Sequence, residues 1–160
     1  MTISDFHNLA AQFCADCDAP VPDLSPDGDG VLSFSAVVRD VHVAAAHDPV
    51  MHPGLVFVYA TFGPVPPQHE LDICRALLYA NLLMLRPAAP VFTRNPDDGQ
   101  VILRYIRPLA DLSGSALWEG VQTMVDSALQ WREDHFLKPD THTRPHATFT
   151  PYAHALNQLS

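Results

Sequence analysis

The chain has 160 residues, 18 acidic against 9 basic side chains, a formal charge of −9 and 48% hydrophobic residues. That length suits one domain that buries its own core without disulfides or metals. The acidity opposes binding to nucleic acid or anionic membrane, and the longest apolar run, around residues 76 to 85, is about half of what a bilayer span needs, so no membrane insertion is expected.

The opening MTISDFHNLAAQF lacks the basic start and small-residue cleavage site of a secretory signal, which makes the cytoplasm the expected location. Within it, Ile3, Phe6, Leu9 or Ala10, Phe13 and Cys17 recur at helical spacing, with Ser4 and Asp5 available as caps. DAPVPDLSPDGDG, residues 18 to 30, is loop chemistry. From Val31 the period changes to two, with Leu32, Phe34, Ala36 and Val38 opposite Ser33, Ser35 and Val37. Arg39-Asp40 then turns the chain into VHVAAAHD, an antiparallel partner. GLVFVYATF makes a third strand whose faces, Leu55, Phe57 and Tyr59 against Val56, Val58, Ala60 and Phe62, are both apolar.

Pro66 and Pro67 lead into a second helix over 68–85 that is apolar nearly all round, LLYANLLM at 77–84 being interrupted only by Asn81 and the Tyr79 phenol. RPAAP stops it. Two strands then flank Asn95-Pro-Asp-Asp-Gly99, a hairpin turn. A third helix fits 115–136 through Leu117, Val121, Met124, Val125, Ala128, Leu129 and Phe136. The fold class is therefore α+β, an antiparallel sheet with three helices in the order α-β-β-β-α-β-β-α. A domain over 1–138 is followed by a Pro- and His-containing tail over 139–160.

Little here suggests bond-making chemistry. Cys14-Ala-Asp-Cys17 lies late in a helix, not at the N-terminus that would lower a thiol pKa, so both cysteines read as packing groups. His42, His47 and His52 are spaced by five, and Pro145 separates His142 from His146. Neither set forms a recognised metal motif. Nucleotide-binding and hydrolase motifs are missing too. We expect no catalytic residue, metal or cofactor. The alternatives are a small ligand- or metal-binding α+β enzyme using His42 to His52, or an adaptor or regulator with a folded partner.

Arg75-Ala-Leu-Leu, Ala80-Asn81-Leu-Leu, the Pro/Ala linker, the Asn95–Gly99 turn, Val101-Ile-Leu103, Pro108-Leu109, Leu117, Val125 and Trp131-Arg132 are similar in letters and order to the Tir chaperone-like (CesT-type) family. These are class I chaperones of bacterial type III secretion. The resemblance implies a cytoplasmic homodimer that uses no ATP and holds the N-terminal region of a secreted effector extended, soluble and competent for secretion. It also implies that the second helix lies at or near the dimer interface. On that footing Leu78, Asn81, Leu82 and Leu85 are the expected dimer residues, with Asn81 as a register marker. Phe6, Phe13 and the sheet positions Val37, Val56, Val58 and Phe62 are the expected effector contacts. The tail is longer than that family's compact pattern requires.

Overall fold

The computed structural model describes residues 3–84 and 88–137. Helix α1 (Ile3–Asp16) buries Phe6, Leu9, Ala10, Phe13 and Cys14 along one face. Its end is set by Asp18 at φ 53° and by the Ala19 N–H donating to the Cys14 carbonyl at 2.9 Å, the backward bond that closes a left-handed helix terminus. Strands β1 (Leu32–Val38) and β2 (Val41–His47) follow, joined by Arg39 and Asp40 at φ 47° and 65°. Two positive φ values match the twist of a two-residue hairpin, and neither residue is glycine. Helix α3 (Gly114–Asp134) holds this turn from outside: Asp126 pairs with Arg39 at 2.6 Å, and Arg132 donates to the Asp40 carbonyl at 3.0 Å.

Strand β3 (Leu55–Pro64) leads through a 3₁₀ turn at Pro67–His69 into helix α2 (Glu70–Leu83). Strands β4 (Val91–Arg94) and β5 (Gln100–Pro108) then complete one antiparallel sheet of order β1-β2-β3-β5-β4. The element order expected from the sequence is the one observed. The second helix begins two residues late because the prolines form the 3₁₀ turn first. The third begins one residue early, at Gly114, where the Ser113 hydroxyl accepts the Ala116 N–H at 3.1 Å.

Strand β3 is the centre of the sheet, and its pairing with β5 shifts between Thr61 and Gly63. At that bulge Gly63 takes φ 131°, and the Phe62 and Thr61 carbonyls turn to Arg132, accepting from Nε at 2.7 Å and Nη2 at 3.3 Å. One guanidinium thus joins α3 to β3 and to the β1–β2 turn, filling the acceptors that a bulge takes out of the ladder.

All three helices contribute to one core with one face of the sheet: Leu32 and Phe34 from β1, Val41, Val43 and Ala45 from β2, Val56, Val58, Ala60 and Phe62 from β3, and Leu103 from β5. This corrects the expected side for β3. Val56, Val58 and Phe62 point into the helices, and Leu55, Phe57 and Tyr59 point outward. An alternation with two apolar phases carries no information about which phase is inside.

Phe6 and Phe13, expected to be available to a client, are also interior. Phe34 lies 5.6 Å from Phe6 and 5.4 Å from Phe13 between ring centroids, and Trp118 closes over Phe13 at 5.6 Å. Full burial of each such ring contributes roughly 1.5–3 kcal/mol, which a loosely attached helix would forfeit.

The α1–α3 contact depends on Gly114. A Cβ placed there would meet Gln12 Cβ at 2.2 Å, and the Gln12 carboxamide oxygen accepts the Gly114 N–H at 3.0 Å. Gly114→Val is expected to lower stability by about 2 kcal/mol or more through overpacking. The check is a urea midpoint that falls with an unchanged slope; an unchanged midpoint would show that the two helices can separate freely.

Candidate functional site

With one core accounted for, and apart from Val50 and Met51 exposed on the β2–β3 loop, apolar surface among the described residues gathers in three places. The first is α2. Ile73, Leu77, Ala80 and Met84 are buried, whereas Leu71, Leu78 and Leu82 are 62%, 69% and 64% exposed. Steps of seven and four residues put these three leucines on one helical stripe. Helix α2 is held at the margin of the sheet by polar contacts to β4. Asn81 Oδ1 accepts the Phe92 N–H at 2.8 Å, its Nδ2 donates to the Phe92 carbonyl at 3.0 Å, and Glu70 pairs with Arg94. The Asn81 amide therefore stands where a further strand would, and blunts the β4 edge.

Leu78 and Leu82, expected at a dimer seam, lie on the open stripe. Asn81 has a different job from the register marker proposed for it: both ends of its amide are engaged by Phe92 of the same chain. Leu85 lies outside the described residues. Leu71 was missed by sequence reasoning, although its spacing from Leu78 and Leu82 was the available signal.

The second place is the outer edge of β1. Strand β1 pairs with β2 on one side, and among the described residues no strand pairs with its other side. Beside that edge runs an open groove of about 570 Å³ lined by Cys14, Cys17, Pro20, Val21, Val37 and Trp118, among others. Val37 is 58% exposed, the one expected effector contact that the fold leaves accessible. The groove owes its wall to the terminus of α1, which sends Ala19–Pro22 back past the strand.

The third place is the outward face of the sheet. The pairings align Ala46, Phe57 and Ile106 in one row and Ala44, Tyr59 and Arg104 in the next. Phe57, Tyr59, Ile102 and Ile106 are half-buried there, beside the small side chains of β1 and β2. No helix among the described residues contributes to that face. A shallow recess of about 280 Å³ lies between Tyr59, Ile102 and the Asn95–Gln100 turn.

The titratable groups do not converge. His47 is buried and its Nδ1–H donates to the Leu55 carbonyl at 2.9 Å, His42 lines the outward recess, and His52 stacks edge-on to Phe57 at 5.3 Å. Among the described residues no group of three or more His, Cys, Asp or Glu side chains is placed to share a metal ion. His142 and His146 lie outside the described residues. The Met51 N–H, with that of Val50 and the nearby His52 and His47, holds the Asp48 carboxyl below its ordinary range. Asp48 thus supports the β2–β3 loop above the usual carboxylate range, and that support is lost as pH falls through its lowered value.

The sequence profile of the Tir chaperone protein (CesT) family matches residues 8–132. Three solved structures resemble this one. A chain of the ExsC–ExsE complex is 17% identical with a TM-score of 0.62, over 83% of this chain and 96% of that one. A chain of the ExoT–SpcS complex from Pseudomonas aeruginosa is 17% identical with a TM-score of 0.54, over 81% and 98%. A chain of the HopA1–SchA chaperone–effector complex is 14% identical with a TM-score of 0.57, over 83% and 98%. At these identities the likeness is one of fold. No curated protein sequence matches significantly.

The contact between α2 and β4 can be tested directly. Asn81→Leu keeps the size of the side chain and strands the Phe92 N–H and carbonyl, so stability is expected to fall by about 1–3 kcal/mol. In native-state hydrogen exchange the Phe92 amide should lose protection. Retained protection would mean that water or another group already serves that edge.

Proposed function

The chain belongs to the Tir chaperone protein (CesT) family, and from that premise we propose an ATP-independent type III secretion chaperone. It binds the N-terminal region of a secreted effector in extended form and keeps it soluble and competent for secretion. Its chemistry is non-covalent binding and no catalytic role is assigned to any side chain. Its place of action is the bacterial cytoplasm. No helix among the described residues is long and apolar enough to cross a membrane.

The observation that carries the binding mode is the open edge of β1 beside an apolar groove. An extended client offers backbone N–H and carbonyl groups that continue the ladder, and its alternate side chains then fall toward Val37 on one side and toward Trp118 on the other. Ordering such a client costs several kcal/mol, on the order of 2–5. A single strand edge is too small to offset that with useful affinity, so the outward sheet face with Phe57 and Tyr59 supplies further area. The acidic body, at −9, keeps the loaded complex soluble.

A second copy supplies more area still. The Leu71, Leu78 and Leu82 stripe is the surface proposed for the homodimer, because water is a poor environment for three aligned leucines, with the Asp72–Arg75 ion pair beside them on the exposed first turns of α2. The interior positions of Phe6, Phe13, Val56, Val58 and Phe62 give them an indirect part: they hold α1 and β3 in place and so shape the edge and the outward face.

Two expected outcomes follow from these assignments. Sedimentation at low micromolar concentration should give twice the chain mass, and Leu82→Asp should return the monomer by weakening association about 100-fold, the cost of about 3 kcal/mol for an unpaired carboxylate in an apolar seam. A monomeric parent protein removes the dimer from the scheme. For the client, co-expression with effectors encoded at the same locus should protect an effector's N-terminal segment from limited proteolysis. Val37→Asp should weaken retention about 10-fold or more, whereas undiminished retention would move the client off the β1 edge.

A further inference from the structure

The described chain ends at a place that its own contacts fix. His135 and Phe136 close α3 at φ 51° and 60°, positive values that a side chain as large as phenylalanine adopts only where its surroundings hold it. Phe136 is buried and packs on Phe92 at 5.4 Å, and His135 stacks edge-on to Trp131 at 4.7 Å. One turn earlier Arg132 binds the Thr61 and Phe62 carbonyls. The chain therefore leaves the helical layer at the bulge end of the sheet, where Pro64 pairs with Gln100 beside the Asn95–Gly99 turn.

The recess of about 280 Å³ on the outward face opens at that same end: Thr61 lines it while its carbonyl accepts from Arg132 of α3. Ser35 and Ala44 give it a floor of small side chains, Tyr59 and Ile102 stand over that floor, and Asp98 lies at the rim. Arg104 is the register neighbour of Tyr59 on the same face.

We propose that the segment after Leu137 occupies this recess: it turns round the bulge end of the sheet and lays Phe149 and Tyr152 across the outward face as an intrachain strap. That the strap hinders a client rests on the reading of the outward face as client area; the strap itself does not. The dozen residues from Lys138 to Phe149 reach up to about 40 Å, against the ~20 Å of two layer spacings that separate the helical side from the outward face. Charge favours the seat. Every acidic side chain but Asp140 precedes Lys138, whereas Lys138, Arg144 and three histidines follow Leu137, which sets Arg144 against Asp98.

The backbone chemistry of the segment fits as well. Proline at 145 and 151 biases Arg144 and Thr150 to extended conformations. In an extended left-handed helix, residues three apart share a side at about 9 Å. That is close to two strand spacings of about 4.8 Å, the step from Ile102 on β5 across β3 to Ala44 on β2. Phe149 and Tyr152 therefore seat on either side of Tyr59, and Arg104 offers a guanidinium to the nearer ring.

Methyl NMR of the full-length protein, free of client, is the test. The Ile102 methyl protons should show cross-peaks to the aromatic protons of Phe149 and Tyr152, and Phe149→Ser combined with Tyr152→Ser should remove them. Both residues follow the last described core side chain, Phe136, so this variant keeps the core intact. When Ile-labelled copies with deuterated aromatic residues are mixed with unlabelled copies, the cross-peaks should vanish. A strap seated about 90% of the time weakens a client about 10-fold, so the double variant should hold an effector's N-terminal segment about 10-fold more tightly. Absent cross-peaks, or cross-peaks to the Leu78 and Leu82 methyls in their place, would overturn the strap. Cross-peaks that persist in the mixture would overturn it too, because the segment then lies on a second copy. Cross-peaks with unchanged client affinity would overturn the competition. If neither protein holds any effector segment, the chaperone reading fails instead, and the strap stands or falls on the cross-peaks.

Discussion

A single sheet has two faces and two edges, and the helices among the described residues cover one face. Helices α1 and α3 pack together over the side that carries Phe34, Val43, Val58 and Phe62, and everything else follows from that asymmetry. Strand β3 is apolar in both phases, so turning Val56 and Val58 inward leaves Leu55, Phe57 and Tyr59 outward whatever the rest of the chain does. A second helical layer would have made an ordinary two-sided core. Helix α2 is placed at the margin instead, where Asn81 and Glu70 tie it to β4.

That marginal placement has an energetic logic. The backbone groups of an edge strand need partners, and a carboxamide that matches both the N–H and the carbonyl of Phe92 satisfies them without another strand. Closing β4 in this way leaves β1 as the edge open to pairing among the described residues. The two ends of the sheet thus differ in chemistry. At one a helix shows Leu71, Leu78 and Leu82 to solvent, and at the other a ladder with no further partner among the described residues stands beside a groove. A surface of the first kind suits a rigid, self-complementary partner, and a surface of the second suits a chain with no fold of its own.

Rigidity where binding occurs is supplied from the interior. Arg132 joins α3 to the bulge of β3 and to the β1–β2 turn, while Gly114 lets α1 and α3 approach closely enough to bury Phe6 and Phe13. An open edge that frayed would lose most of its value as a template, since the client would then pay to order both strands. The closing turn of α1 is part of the same support, because it sends Ala19–Pro22 back past the strand as the wall of the groove.

The sequence by itself determined the elements and their order, because hydrophobic period, proline and glycine positions and cap residues act over a few residues and are written locally. The strands of β1 and β2, the Asn95–Gly99 turn and the three helices were legible for that reason, and so was the doubly apolar nature of β3 and α2. Which phase of β3 faces the helices, that Phe6 and Phe13 are sealed by Phe34 and Trp118, and that Asn81 serves Phe92 of its own chain were decided only by the tertiary structure. Each of these depends on a partner eleven or more residues away, and a pattern that is apolar on both sides has no local signal to choose between them.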